Sequence, residues 1–402
     1  MTGAAYAIDL TSPTVTFDST PTPDTNHTTA DFTFHGVDPT SNAVASGVAS
    51  LECALDSDPF TSCTSPQEFT GLTEGQHTFE VRATDAVGNV GSSAIYSWTI
   101  DTTPPTITSV SNTPDPTDSS STIDYTLSEA ASVTIKLYDT HNNVVRTLVD
   151  GETGIDGPNS AQWDLKNDSA VDVPSGSYTY TIDATDVAGN PAVQQTGTVT
   201  VERATHLVIT SPAVTITAGN TSGSITVERT DEFGNPTTVG DLLLHLGSSS
   251  ASAGFRDSSD SSDVTTVTIP NGASSATFLY TDTLAGSPTI TVADQASGPD
   301  VGLSDATQQE TVNAAAATHL TLGAPASATA GQQFDVTVTA RDQYENVAQA
   351  YSGTVLFSSD DANPSLPGDS GLTAGTGTFP VTLTQAGTRT RSVTRRTPRR
   401  RR

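Results

Sequence analysis

Two nearly identical segments each place an aspartate at the end of a strand-like run, where its carboxylate could cap a turn or bind a cation. Residues 83–89 read Ala-Thr-Asp-Ala-Val-Gly-Asn, and residues 184–190 read Ala-Thr-Asp-Val-Ala-Gly-Asn. The carboxylates of Asp85 and Asp186 can accept hydrogen bonds from backbone N–H groups about two or three residues later, and the Gly-Asn pair supplies positive φ at little cost. The motif therefore has two interpretations, a strand-ending turn and a ligand site.

Two further aspartates, Asp9 and Asp101, lie where repeated sequence marks junctions between domains. Ca²⁺ takes roughly six to eight oxygen ligands, which carboxylates and backbone carbonyls supply together. In a head-to-tail array of domains, the junction aspartates could meet the turn aspartates Asp85 and Asp186 at one interface. The sequence therefore favours capping of backbone N–H groups by these aspartates, and Ca²⁺ held by the four residues at the domain junctions is the alternative hypothesis.

Looser copies of the motif occur at residues 229–235 and 341–346. The first copy follows an alternation in which Phe79, Val81 and Ala83 are apolar and the intervening residues are polar. A period of two residues is the signature of a half-buried strand. The repeated unit is a strand followed by a turn, which indicates an all-β chain.

The composition favours thin sandwiches over a single large core. Only 34% of the 402 residues are hydrophobic, and the formal net charge is −29, although eight of the 16 basic residues lie at or after Arg389. A strongly acidic body repels nucleic acid and anionic membranes and favours solubility and divalent cations. No apolar run approaches the roughly 18 residues of a membrane helix, so membrane insertion is not expected.

Repeated sequences outside the turns divide the chain into domains. Residues 7–15 are echoed by residues 99–107, and Ala-Thr-His-Leu at 204–207 recurs at 317–320. An internal repeat of this kind sets the fold. The predicted segments are 1–9, the last strand of a missing preceding domain; 10–101, 102–202 and 203–313, three complete domains; 314–388, a truncated domain; and 389–402, an Arg-rich tail.

The first two complete domains resemble known bacterial modules. Residues 51–56 (Leu-Glu-Cys-Ala-Leu-Asp) and 75–79 (Gly-Gln-His-Thr-Phe) are similar to a bacterial Ig-like repeat of secreted and surface proteins. Residues 133–139 (Val-Thr-Ile-Lys-Leu-Tyr-Asp) and 173–180 (Val-Pro-Ser-Gly-Ser-Tyr-Thr-Tyr) resemble the Ig-like domain of the flagellar hook-capping protein. In the second module Trp163 is the expected core anchor. A flagellar role does not follow, because the module is shared by many secreted proteins.

The third and fourth domains, which share Ala-Thr-His-Leu and a later Ala-Gly pair, resemble the Ig-like repeats of invasin- and intimin-type adhesins. Together the resemblances imply a tandem, head-to-tail array of Ig-like β-sandwiches outside the cell. Giant adhesins with similar repeats stiffen their stalks with Ca²⁺ between domains, which supports the calcium interpretation.

The two cysteines, Cys53 and Cys63, flank a turn, and two antiparallel strands could bring their Cβ atoms within disulfide reach. Two buried thiols are the alternative. The resemblance to extracellular repeats favours the disulfide, because disulfides persist in oxidising compartments.

The segment from Arg389 onward reverses the charge of the chain inside an expected strand and contains no acidic residue. A basic tail could bind nucleic acid or an anionic surface. Translation in a wrong frame or a truncated gene explains the abrupt change better, so we expect the tail to be an artefact.

No motif indicates catalysis. The seven histidines are scattered singly, and neither a nucleophile elbow nor a phosphate-binding glycine loop is present. We therefore expect a non-catalytic stalk or adhesion region of a large secreted or cell-surface bacterial protein, which spaces and presents a distal domain that binds a host, cell-surface or polysaccharide ligand. The alternative is an accessory region of a large secreted hydrolase.

Overall fold

The computed structural model describes residues 8–40, 45–296 and 302–395, and this part of the chain consists of strands, turns and loops without an α-helix. It therefore offers no helix that is long and apolar enough to cross a membrane. The chain divides into two compact units, Met1–Val201 and Glu202–Arg402. Each unit contains two β-sandwiches, so the fold is the tandem all-β array that the sequence predicts.

The first sandwich packs two sheets, ordered β1-β3-β6 and β2-β8-β7-β4-β5. Its strands are β1 (Thr14–Ser19), β2 (Asp24–Thr25), β3 (Ala30–Val37), β4 (Val48–Leu55), β5 (Thr61–Ser62), β6 (Gln67–Phe69), β7 (Gly75–Asp85) and β8 (Ala94–Ile100). Alternate residues of β7 are buried, as the period of two predicts. The rings of Phe32 and Phe79 approach to 4.5 Å between centroids and join the two sheets.

The second sandwich has sheets ordered β13-β10-β9 and β12-β11-β14-β15. Its strands are β9 (Ile107–Thr113), β10 (Ser121–Leu127), β11 (Ala131–Tyr138), β12 (Val144–Gly154), β13 (Gly157–Trp163), β14 (Gly176–Thr185) and β15 (Gln195–Val201). Val133, Ile135 and Leu137 on β11 are buried, and Trp163 is buried completely. The Trp163 indole N–H donates to the Lys166 carbonyl at 2.9 Å, which satisfies its polar atom inside the core. The predicted core anchor is therefore confirmed.

The third sandwich has sheets ordered β16-β18-β23-β20-β21 and β22-β19-β24-β25, and a short parallel pair, β17-β26. Its strands are β16 (His206–Ile209), β17 (Thr215–Thr217), β18 (Ile225–Thr230), β19 (Leu242–Ser248), β20 (Ala253–Asp257), β21 (Asp263–Val264), β22 (Thr266–Ile269), β23 (Ser275–Asp282), β24 (Thr289–Ala293), β25 (Ala306–Gln309) and β26 (Thr311–Asn313).

The fourth sandwich has sheets ordered β27-β28-β31 and β30-β29-β32. Its strands are β27 (His319–Gly323), β28 (Gln333–Arg341), β29 (Thr354–Ser359), β30 (Ser370–Gly371), β31 (Thr376–Thr382) and β32 (Arg391–Arg395). The start of the predicted Arg-rich tail thus forms β32, which pairs with β29. The rest of that tail, after residue 395, lies outside the described residues, as do residues 1–7 of the segment predicted to end a preceding domain.

The cysteines are joined, as predicted, in a disulfide between Cys53 on β4 and Cys63 just after β5, with Cα atoms 5.8 Å apart. The bond closes the β4–β5 hairpin at one edge of the first sandwich. A covalent link of this kind restricts the unfolded chain and so favours the folded domain.

A buried arginine organises one end of the third sandwich. Arg229, at the end of β18, is 2% exposed. Its guanidinium donates hydrogen bonds to the backbone carbonyls of Thr237, Val239, Gly240, Pro270 and Ala273. The rigid fork of donors matches several carbonyls at once, so one side chain fixes two loops.

We expect Arg229→Ala to lower the free energy of unfolding of the third sandwich by about 3 kcal/mol or more, because several buried carbonyls lose their donor together. Arg229→Lys should lower the free energy of unfolding by less than Arg229→Ala does. Its ammonium group keeps some of the donors but cannot reproduce the planar fork of the guanidinium. The measurement is urea unfolding of the full chain. Arg256→Ala is the control: it removes surface ion pairs with Asp260 and Asp263 in the same sandwich, which are worth about 0–1 kcal/mol. Equal losses for Arg229→Ala and Arg256→Ala would refute the structural role of Arg229.

Candidate metal centre at the linker ends of the sandwiches

The first repeated turn is closed by its own side chains. The Oδ1 atom of Asp85 accepts hydrogen bonds from the backbone N–H groups of Val87 and Asn89 at 3.0 and 2.7 Å. Its Oδ2 atom accepts from the Asn89 side-chain amide at 2.8 Å. Gly88 has φ +95°, in the region that favours glycine. Asp85 therefore caps backbone N–H groups of its own turn, as one interpretation of the motif predicts.

The other copies close in the same way but follow different strands. Asp186 and Asn190 repeat the carboxylate–amide contact at 2.8 Å after β14. Asp231 and Asp342 make the equivalent contact with the asparagine four residues later. The turns of Asp231 and Asp342 follow β18 and β28, each of which is the second long strand of its sandwich. Asp85, in contrast, ends β7, the strand before the last one in the first sandwich. The motif is therefore a local turn that the fold uses at two places in a sandwich.

The asparagine of the turn also holds the linker that enters the sandwich. The Asn190 amide donates to the Asp101 carbonyl at 2.8 Å, in addition to its contact with Asp186. The Asn89 amide lies 3.3 Å from the Asp9 carbonyl oxygen in the corresponding position. One amide thus connects its own turn to backbone about 80 to 90 residues earlier in the chain.

The same turn contacts the preceding sandwich within each compact unit. In the first unit, the backbone N–H of Asn26 donates to the Ala188 carbonyl, and the Asn26 amide donates to the Gly189 carbonyl, both at 3.1 Å. In the second unit, the Asn346 amide donates to the Thr283 carbonyl at 2.8 Å and its oxygen accepts from the Ala285 N–H at 2.9 Å. These bonds join consecutive sandwiches at their junctions.

Three acids meet at the linker end of the first sandwich. Asp9 from the segment before β1, Asp38 from the loop after β3 and Asp85 from the turn at the end of β7 each place one carboxylate oxygen within 4.8 Å of the others. Asp9 and Asp85 are buried, and Asp38 is half-buried. Two of the four predicted aspartates, Asp9 and Asp85, are therefore brought together, with a third acid, Asp38, that sequence reasoning missed.

Hydrogen bonds keep two of these acids ionised. The Thr11 hydroxyl and the Thr11 N–H, with a further N–H from Ser46, lower the pKa of Asp9 to about 2. Burial opposes the ionisation of Asp85, but the amide and N–H of Asn89 and the N–H of Val87 outweigh it and lower its pKa. Neutral donors, namely hydroxyl, amide and backbone N–H groups, therefore stabilise anions at this site.

Only one of the two carboxylate oxygens of Asp38 accepts a backbone hydrogen bond. Its Oδ2 atom accepts the Gly47 N–H at 2.7 Å. Its Oδ1 atom is buried and has no hydrogen-bond partner among the described residues. A buried carboxylate oxygen without a partner is costly, and a cation at the centre of the three acids would offset that cost.

A second cluster occupies the equivalent place in the second sandwich. Asp101 from the linker, Glu129 from the loop after β10 and Asp186 from the turn after β14 lie with one oxygen each within 4.8 Å. Burial, followed by repulsion from Asp101, Asp186 and Asp156, raises the pKa of Glu129. The cluster therefore carries unfavourable like-charge interactions at neutral pH.

Both clusters offer oxygen ligands alone, which is the donor set that hard divalent cations such as Ca²⁺ prefer. The four aspartates predicted as metal ligands do not share one centre: Asp9 lies with Asp85, and Asp101 lies with Asp186. The two missed acids, Asp38 and Glu129, follow β3 and β10, the second long strand of each sandwich. An acid just after that strand in both domains is the sequence signal that would have found them.

Comparison with known families gives one match. Residues 110–206 match the family model of the FlgD Ig-like domain, which confirms the resemblance of the second sandwich to the hook-capping module. The match covers less than half of the chain. No curated protein is significantly similar to the chain in sequence.

Solved structures with similar architecture are distant. The I67–I69 fragment of titin is 12% identical, with 76% of this chain and 99% of that chain covered and a TM-score of 0.33. The D00–D0 domain of intimin is 12% identical, with coverages of 51% and 98% and a TM-score of 0.26. Domains 1–6 of the surface layer protein SbsC are 15% identical with a TM-score of 0.24, and the match covers 93% of this chain and 63% of that chain.

We expect Asn190→Ala to lower the free energy of unfolding by about 1–3 kcal/mol, because the Asp101 carbonyl and the Asp186 carboxylate both lose a donor. Asn143→Ala is the matched control, because Asn143 donates in the same way to Asp139 in an exposed hairpin. The measurement is thermal unfolding of each variant of the full chain. Equal destabilisation by the two changes would show that the bond to the linker contributes nothing.

Proposed function

We propose that the chain is a non-catalytic spacer region of a secreted or cell-surface bacterial protein, in which Ig-like sandwiches are held head to tail and present a distal binding domain. The observation that carries this proposal is the dual use of the turn asparagine. Asn190 and Asn346 each close their own turn and bond to backbone of the linker or of the preceding sandwich. Side chains that restrict the junction are what a load-transmitting spacer requires.

Ca²⁺ is the proposed stiffening ligand of these junctions. Each cluster joins a linker acid to acids from two loops of one sandwich, so a bound ion would fix the linker against the domain. Asp9, Asp38 and Asp85 would hold the ion in the first sandwich, and Asp101, Glu129 and Asp186 would hold it in the second. The ion would supply charge neutralisation and coordination and no chemical step.

An extracellular location is consistent with the disulfide and the charge of the chain. The Cys53–Cys63 bond persists in oxidising compartments. A net charge of −29 favours solubility and disfavours contact with nucleic acid and anionic lipid. The proposed partner is a host, cell-surface or polysaccharide ligand that the full-length protein contacts, with exposed loops and sheet edges as the available binding surfaces.

Calorimetric unfolding of the full chain with about 10 mM Ca²⁺ or with chelator tests the calcium proposal. Extracellular modules bind Ca²⁺ with Kd values of about 10⁻⁴–10⁻³ M. At a Kd of about 10⁻⁴ M this concentration is about 100-fold above Kd and stabilises by about 2.7 kcal/mol, which corresponds to a rise in Tm of roughly 10–20 °C for a domain of this size. NaCl at equal ionic strength controls for screening of the acidic surface. Identical Tm values in Ca²⁺, chelator and NaCl would refute the calcium sites.

Glu129→Gln distinguishes a metal ligand from a structural acid. Because the folded-state pKa of Glu129 is raised, its contribution to stability is full below its ordinary pKa and is lost as pH rises through the folded value. At pH 7 in chelator, Glu129→Gln should therefore raise the Tm of the second sandwich. In Ca²⁺ the same variant should lose the metal-dependent rise.

The control for Glu129→Gln is Asp124→Asn, which removes a negative charge from an exposed position on β10 of the same sandwich. It should keep the full response to Ca²⁺. A calcium response of Glu129→Gln as large as that of Asp124→Asn would exclude Glu129 as a ligand.

A further inference from the structure

A buried histidine in the first sandwich is held between two acceptors. His77 lies near the start of β7 and is 6% exposed. Its Nδ1 atom is 2.9 Å from Asp56 Oδ2, and its Nε2 atom is 2.7 Å from the Thr73 carbonyl oxygen. Its ring packs on Trp98 of β8, with centroids 5.5 Å apart.

These partners specify the protonation state of the ring. A carbonyl oxygen and an ionised carboxylate can only accept hydrogen bonds, whereas a neutral imidazole carries a single N–H. Both contacts are made only when His77 is the imidazolium. Burial opposes this charge, but the Thr73 carbonyl and Asp56 outweigh burial and raise the pKa of His77 above its ordinary value.

The histidine is connected to the linker through one loop. Thr73, whose carbonyl accepts from His77, is followed by Glu74. The Glu74 carboxylate accepts hydrogen bonds from the hydroxyl groups of Thr102 and Thr103 at 2.7 and 3.0 Å. These two threonines directly follow Asp101 in the linker between the first and second sandwiches.

We propose that His77 is a pH-sensitive latch on this linker: its imidazolium fixes the Thr73–Glu74 loop, and Glu74 in turn holds Thr102 and Thr103. The groups that face the ring are Asp56 from the loop after β4, the Thr73 carbonyl, and the neutral Trp98 from β8. Asp56 is the charged group that acts on His77. Loss of the ring proton leaves one of the two acceptors without its donor and loosens the loop.

The sign of the pH dependence follows from the raised pKa. The stabilisation is fully present below the ordinary histidine value of 6.5. It is lost as pH rises through the higher value in the folded protein. The linker is therefore held more tightly in mildly acidic than in alkaline medium.

Two measurements on the full chain in chelator test the latch independently of Ca²⁺. Ring nitrogen chemical shifts of His77 should show two N–H groups at pH 6.5 and titration above the ordinary value. Hydrogen exchange of a peptide spanning residues 99–108, corrected for intrinsic rates, should show several-fold less protection at pH 9 than at pH 6.

Three variants distinguish a specific effect of His77 on the linker from a general change in the stability of the first sandwich. Glu74→Gln should leave the titration of His77 in place and remove most of the pH dependence of linker protection. His77→Gln should remove both. His35→Gln, which changes an exposed histidine paired with Asp18 in the same sandwich, should change neither. The proposal is overturned if His77 carries one N–H at pH 6.5, or if linker protection in Glu74→Gln varies with pH as it does in the unmodified chain.

Discussion

The hydrogen bond between a turn aspartate and the asparagine four residues later is the interaction on which the junctions depend. An asparagine amide has two N–H groups and one oxygen. In the turn that ends at Asn190, the amide serves both the Asp186 carboxylate of its own turn and the Asp101 carbonyl of the linker. The turn must be closed for the amide to point at the linker, so a local motif controls how one sandwich meets the next.

Negative charge is concentrated where these turns meet the linker. Hydrogen bonds stabilise Asp9 and Asp85 as anions, while burial and repulsion disfavour the ionised form of Glu129. A cation in each acidic cluster would relieve this imbalance. Next to the linker between the first and second sandwiches, the proton on His77 stabilises the loop that carries Glu74. The linker is thus the place where metal binding and protonation could both change the stiffness of the array.

The sandwiches themselves are built as separate bodies with cores of their own. The first depends on stacked aromatic rings around Phe32 and Phe79, and a disulfide closes one of its hairpins. The third instead uses the buried guanidinium of Arg229 to organise two loops at one end. In a chain with few apolar residues, the first and third sandwiches are therefore stabilised by different interactions.

Much of the fold could be predicted from the sequence, because its determinants are local. The alternation of Val133, Ile135 and Leu137 specifies a strand, and the turn partners Asp85 and Asn89 are four residues apart. The side chains that Asp38, Glu129 and His77 contact could not be predicted in this way, although the repeated acid after the second long strand is a sequence signal for Asp38 and Glu129. Their neighbours are supplied by other strands, since sheet pairing decides which loops share one end of a sandwich. The sequence by itself determined the strands, the turns and the repeat. The tertiary structure alone decided which acids share a cluster, with Asp38 beside Asp9 and Asp85 and with Glu129 beside Asp101 and Asp186, because contacts between residues tens of positions apart depend on which strands pair and pack.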